Sequence, residues 1–75
     1  MVVYGYSDKI NKIVVYGKDG SKFTRQLAVN GINELDHIYT YYNKQDGQLH
    51  AINKALITKL RLYHDNKFVY EIKES

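Results

Sequence analysis

Seventy-five residues fit one domain and leave no room for a second hydrophobic core. Cysteine is absent, which excludes disulfides and thiolate metal sites, and proline is absent as well. The formal charge of +3 is a mild excess, carried by nine lysines and only two arginines (Arg25 and Arg61) spread along the chain, and no apolar run approaches the length that crosses a bilayer. A chain this short has a thin stability margin, so packing or a partner chain must supply what disulfides or metals supply elsewhere.

The amino terminus carries neither the basic region nor the apolar stretch of a signal peptide, and together with the missing cysteines this gives a cytoplasmic protein as the expectation. Val2 to Tyr6 is a short β-type run closed by a turn at Ser7-Asp8-Lys9. Lys12–Tyr16 and Lys22–Leu27 flank Gly17-Lys18-Asp19-Gly20, the clearest hairpin signal in the chain. A three-residue loop with Gly20 left-handed sets Val15 opposite Phe23 and gathers Ile13, Val15, Phe23 and Leu27 on one side. Val14, Tyr16, Lys22 and Thr24 then lie on the opposite, accessible side.

The middle of the chain is read as helical. Asn30 or Gly31 caps a helix from Ile32, with Ile32, Leu35, Ile38 or Tyr39, and Tyr42 at helical spacing and Glu34 and Asp36 in the first turn. Gly47 ends or interrupts it. Leu49, Ile52 and Leu56 give a second short helix. Against the first helix stands the strand propensity of Tyr39-Thr40-Tyr41-Tyr42, with Asp46-Gly47 able to turn a third hairpin. The chain then ends in a hairpin, in which a three-residue loop over His64-Asp65-Asn66 pairs Leu62 with Phe68 and Leu60 with Tyr70. The expected fold class is α+β: a small antiparallel sheet, from an N-terminal hairpin or meander and a C-terminal hairpin, with one or two central helices on one face.

Catalytic and metal constellations are not visible. His37, His50 and His64 are too widely spaced for a local metal site, no serine or threonine sits in a nucleophile elbow, and the glycines form no phosphate-cradling loop. No cofactor, metal or catalytic residue is therefore expected, and the chain reads as a non-enzyme. Binding remains, in two forms. On a helix, Tyr39, Tyr41 and Tyr42 cannot all face inward, so at least one ring is free to anchor a protein partner. Edge strands without proline invite strand addition or homodimerisation. The enrichment in Lys, Asn, Ile and Tyr fits an AT-rich coding sequence, so a small phage-type or mobile-element-type inhibitor or regulator of a host protein is the leading expectation. The alternative is nucleic-acid binding through a mixed Tyr/Lys sheet face comprising Tyr16, Lys18, Lys22 and Arg25.

Overall fold

A computed structural model describes residues 2–74. The fold is all β among these residues, built from two four-stranded antiparallel sheets. In chain order the strands are β1 (Val2–Tyr4), β2 (Lys12–Gly17), β3 (Lys22–Gln26), β4 (Ile32–Glu34), β5 (Ile38–Tyr42), β6 (Leu49–Asn53), β7 (Ile57–His64) and β8 (Lys67–Lys73). The first sheet has the order β1-β4-β5-β6 and the second β3-β2-β7-β8. Among the described residues no helix is long and apolar enough to cross a membrane.

The expected central helices are not there, and the α+β class is corrected to all β. Residues 32–42 form β4 and β5, joined through a tight connection at Asp36-His37, where the Leu35 amide donates to the Ile38 carbonyl at 2.9 Å. Residues 49–53 form β6, and only Lys54–Leu56 make a single 3-10 turn, capped by the Asn53 side chain accepting from the Ala55 amide. The helical stripe fails a simple burial test. Leu35, Tyr42, Leu49 and Leu56 are exposed, whereas Tyr39 and Tyr41 are buried at the period of two that a strand imposes. Strand propensity in Tyr39–Tyr42, backed by pairing on both sides, overrides an apolar spacing that fitted a helix.

Both terminal hairpins form. The first has the expected register, Val15 opposite Phe23, with Gly20 left-handed at φ 86° in a loop of Lys18, Asp19 and Gly20. The second turns more tightly than expected. Asp65 and Asn66 are both left-handed (φ 47° and 68°), giving a two-residue loop whose twist suits the flanking strands. Asn11 holds this turn from outside, donating to the Asp65 carboxylate and accepting from the Asp65 amide. A bulge then leaves Val69 without an opposite number, so Leu62 meets Tyr70 and Leu60 meets Ile72. The bulge restores the alternation that keeps Leu60, Leu62 and Ile72 inside.

The core lies between the sheets. The second contributes Ile13, Val15, Leu60, Leu62 and Ile72, and the first Ile32, Tyr39, Tyr41 and Ile52, with Ile10 buried beside them. One corner stitches the sheets together: Leu27 bridges Asn43, the Ala28 amide donates to the Tyr42 carbonyl, and the Lys44 amide donates to the Gln26 carbonyl.

A polar cluster closes another part of the core. The Tyr39 hydroxyl donates to Glu74 at 2.7 Å, and the Lys54 ammonium contacts Glu34 while lying 5.0 Å from the Tyr39 ring centre. Lys54 first, and then the Tyr4 hydroxyl, hold the Glu34 carboxyl below its usual range. Burial first, and then Glu74, push the Tyr39 phenol up.

Candidate nucleic-acid interface

Alternation along the second sheet decides which side chains face away from the core. With Ile13, Val15, Leu60, Leu62 and Ile72 turned inward, the residues between them turn outward and line up across the strands. One row runs Lys22, Tyr16, Lys59, Lys73, and the next runs Thr24, Val14, Arg61, Glu71. A third runs Gln26, Lys12, Tyr63, Phe68. This face therefore holds five cations and three aromatic rings against one carboxylate. The whole chain carries only +3, so the rest of the molecule is close to neutral.

The cations sit on the rings. The Lys59 ammonium lies 4.6 Å and the Lys22 ammonium 5.6 Å from the Tyr16 ring centre, while Lys12 lies 4.7 Å from that of Tyr63. Arg61 lies 5.2 Å from the centre of Phe68, and Tyr63 meets Phe68 edge to face at 5.8 Å. Glu71 receives the Arg61 Nε–H at 2.8 Å and has Lys59 and Lys73 at 3.8 and 4.0 Å. Arg61 first, with burial opposing and the two lysines helping, holds the Glu71 carboxyl below its usual range. Among the described residues no carboxylate comes within 4.0 Å of the Lys12 or Lys22 ammonium, and Lys12 donates to the Asn66 side-chain carbonyl at 2.7 Å.

The outer face of the first sheet is of a different kind. Val3, Asn33, Thr40 and Ala51 make one row across it, Ile38 pairs with Asn53, and Tyr42 pairs with Leu49. No lysine, arginine, histidine, aspartate or glutamate stands among them.

The residues singled out from the sequence are only partly brought together. Tyr16 and Lys22 share the basic face. Lys18 lies in the β2–β3 loop, and Arg25 points to the opposite side of β3, 4.5 Å from the Phe23 ring centre. Tyr39 and Tyr41 belong to the core, at 0% and 3% exposure, and only Tyr42, at 42%, reaches the surface. Tyr41 stacks on His50 with ring centres 5.6 Å apart, and burial pushes its phenol up against the opposing pull of Arg25. The cluster at 39–42 thus presents a single ring, not an anchor of two or three.

Lys12, Lys59, Arg61, Tyr63, Phe68 and Lys73 are the face residues that the sequence reading did not assemble. Their signal was the alternation Lys59-Leu60-Arg61-Leu62-Tyr63, which marks a strand but not its neighbour. The neighbour is β2, paired antiparallel, with Thr58 bulged where Tyr16 meets Lys59 and Gly17 meets Ile57. The histidines lie apart: His37 in the β4–β5 connection, His50 with Nε2 2.8 Å from the Asp46 carboxylate, and His64 beside the Lys9 carbonyl and Asp65. Comparisons with protein-family models, with curated proteins and with solved structures find no match.

Proposed function

We propose that the chain binds single-stranded nucleic acid across the outer face of the β3-β2-β7-β8 sheet, without strong sequence preference. The observation that supports this reading is the concentration of five cations and three aromatic rings on one face of a nearly neutral remainder. Cations provide the phosphate attraction and rings provide the stacking platforms that unpaired bases use. Each tyrosine now carries a lysine over its ring. On binding, a base replaces the ammonium on the ring and the ammonium moves to a phosphate. The exchange costs little, because an exposed cation–π contact contributes only about 0.5–1 kcal/mol.

Single strands suit this surface better than duplex. The face is a sheet with exposed rings, and stacked bases in a duplex offer no free π-face to them. Arginine, the residue for bidentate guanine and phosphate contacts, is represented by Arg61 alone, and Glu71 already engages it. The face spans on the order of four nucleotides, the low end for a sheet-based single-strand site. Fluorescence anisotropy with a labelled oligothymidine tests the reading. Binding that weakens with salt and with Lys12→Glu supports it, and binding insensitive to both counts against it.

A further inference from the structure

A second site lies between β1 and β8, each a free edge of its own sheet. Tyr4 stands opposite the buried Ile32 and Tyr70 opposite the buried Leu62, so each ring points to the core side of its sheet. The bulge at Val69 turns Tyr70 this way, since an unbroken ladder would set Val69 opposite Leu62 instead. The two rings meet across the gap nearly parallel, at 18°, with centres 6.3 Å apart. They line a cavity of about 200 Å³ together with Ile10 and Leu62, both buried, and Asp8. The loop that carries Asp8 is pinned around it. The Ile10 amide donates to the Gly5 carbonyl at 2.9 Å, and the Lys9 amide donates to the Tyr6 carbonyl at 3.2 Å.

This cavity is negative in character. Tyr16, Phe23, Tyr39, Tyr63 and Phe68 each have a lysine or arginine of the chain within 6.0 Å of the ring centre. Among the described residues no lysine or arginine stands over Tyr4 or Tyr70, and no cationic group lies within 4.0 Å of the Asp8 carboxylate. A hydrogen bond to Glu34 first, then burial, then nearby charges with Glu34 and Glu74 among them, push the Tyr4 phenol up. Two rings and a carboxylate over an aliphatic wall specify the chemistry of an occupant. A divalent metal ion would find one carboxylate where it takes about six oxygens. A bare ammonium would give up water to walls that accept nothing from it. A methylated ammonium keeps its charge for the rings and Asp8, and its methyl groups pack on Ile10 and Leu62.

We infer that the cavity between β1 and β8 binds a methylated ammonium group, held by the Tyr4 and Tyr70 rings with Asp8 balancing its charge. The volume lies below that of pockets for drug-sized ligands and suits a head group. A small quaternary ammonium compound and a methylated lysine side chain both present that group. The inference is independent of the nucleic-acid reading, which uses the outer side of the second sheet and attracts anions.

The test uses the full chain, isotope-labelled for NMR. It is titrated with choline, with the uncharged carbon analogue 3,3-dimethylbutan-1-ol, and with the peptide acetyl-Gly-trimethyllysine-Gly-amide beside its unmethylated twin. Choline is expected to shift the Tyr4 and Tyr70 ring protons and the Asp8 amide. The uncharged analogue and the unmethylated peptide should each bind at least about fivefold more weakly than their methylated ammonium counterparts, the scale of one exposed cation–π contact. Tyr70→Leu should weaken choline binding about fivefold and Asp8→Asn about threefold. Both sites are exposed, so neither variant disturbs the core, and Tyr42→Leu on another surface should change nothing. A trimethyllysine peptide that binds more tightly than choline assigns the group to a protein partner, and the equal or reverse order assigns it to a small molecule. Either order upholds the site. Absence of shifts at tens of millimolar choline overturns the inference. Equal binding of the uncharged analogue overturns it too, as does unchanged affinity in both Tyr70→Leu and Asp8→Asn.

Discussion

The outer faces of the two sheets are made by the same rule and differ in everything the rule leaves free. Both follow antiparallel alternation, with core residues inside and the intervening ones outside. On β3-β2-β7-β8 the outward positions are Lys12, Val14, Tyr16, Lys22, Thr24, Gln26, Lys59, Arg61, Tyr63, Phe68 and Lys73, with Glu71 as the one carboxylate. On β1-β4-β5-β6 they are Val3, Asn33, Ile38, Thr40, Tyr42, Leu49, Ala51 and Asn53. Solubility needs charge somewhere, but it does not need five of the eleven cations on one sheet face and none on the other. The segregation is a feature of the outward positions alone, and it is what a polyanion would meet.

The largest expected effect removes both faces together. Leu60 on β7 is fully buried in the core between the two sheets, and Leu60→Ala should cost about 2–5 kcal/mol, against a total of about 5 kcal/mol for so small a domain. Thermal or urea unfolding followed by circular dichroism should show a largely unfolded variant. Next comes charge. Reversing Lys12, Lys22 and Lys59 together to Glu should lower single-strand affinity at least about a hundredfold at moderate salt. The complementary gain, Val3→Lys with Leu49→Lys on the uncharged face, should raise affinity less than threefold, because cations there have no clustered rings to work with. Comparable recovery from those lysines would show that net charge, not the arrangement, drives binding.

Stacking is expected to contribute less than charge. Tyr16→Leu keeps a β-compatible apolar residue and loses the π-face, for an expected loss of about tenfold. Smallest is the effect of Glu71→Gln. It frees Arg61 and its lysine neighbours from their one carboxylate, so affinity should rise about twofold while stability falls slightly.

Acid and alkali act on the scaffold under both faces. Glu34 and Glu71 have lowered folded pKa values, so their contributions are complete above the ordinary glutamate value of about 4.3 and fade as pH falls through the lower folded values. The Tyr39 phenol is raised, so its contribution is complete below the ordinary tyrosine value of about 10 and fades as pH rises beyond it. Urea titrations across pH should show both limbs, and Glu34→Gln should flatten the acid one.

The hairpins were legible because their signals are local. Gly17 to Gly20 states a turn, and the alternation on either side states the faces, so the Val15–Phe23 register followed. Asp65-Asn66 also states a turn, and its two-residue form is held by Asn11, which hydrogen-bonds to Asp65 from a distant part of the chain. The middle of the chain misled because Ile32, Leu35, Ile38 and Tyr42 match a helical period, while the pairing that makes them strands is non-local. The same limit applied to the candidate site. Tyr16 and Lys22 were found together from one hairpin, whereas the β2–β7 pairing that adds Lys59, Arg61 and Tyr63 joins residues more than forty positions apart. Helical geometry turns at least one of Tyr39, Tyr41 and Tyr42 outward, whereas in a strand the odd numbering of Tyr39 and Tyr41 puts both inside.

The central claim is that arrangement on one sheet face makes a single-strand site, and one titration addresses it most directly. Oligothymidine anisotropy would be measured over a range of salt for the natural chain and for the Lys12/Lys22/Lys59→Glu variant. The account predicts a log–log salt slope of about −2 to −3 for the natural chain, as for three or four phosphates, with tighter binding of single strand than of duplex, and loss of both in the variant. Salt-independent binding, equal affinity for duplex, or a variant that binds as well as the natural chain would contradict it.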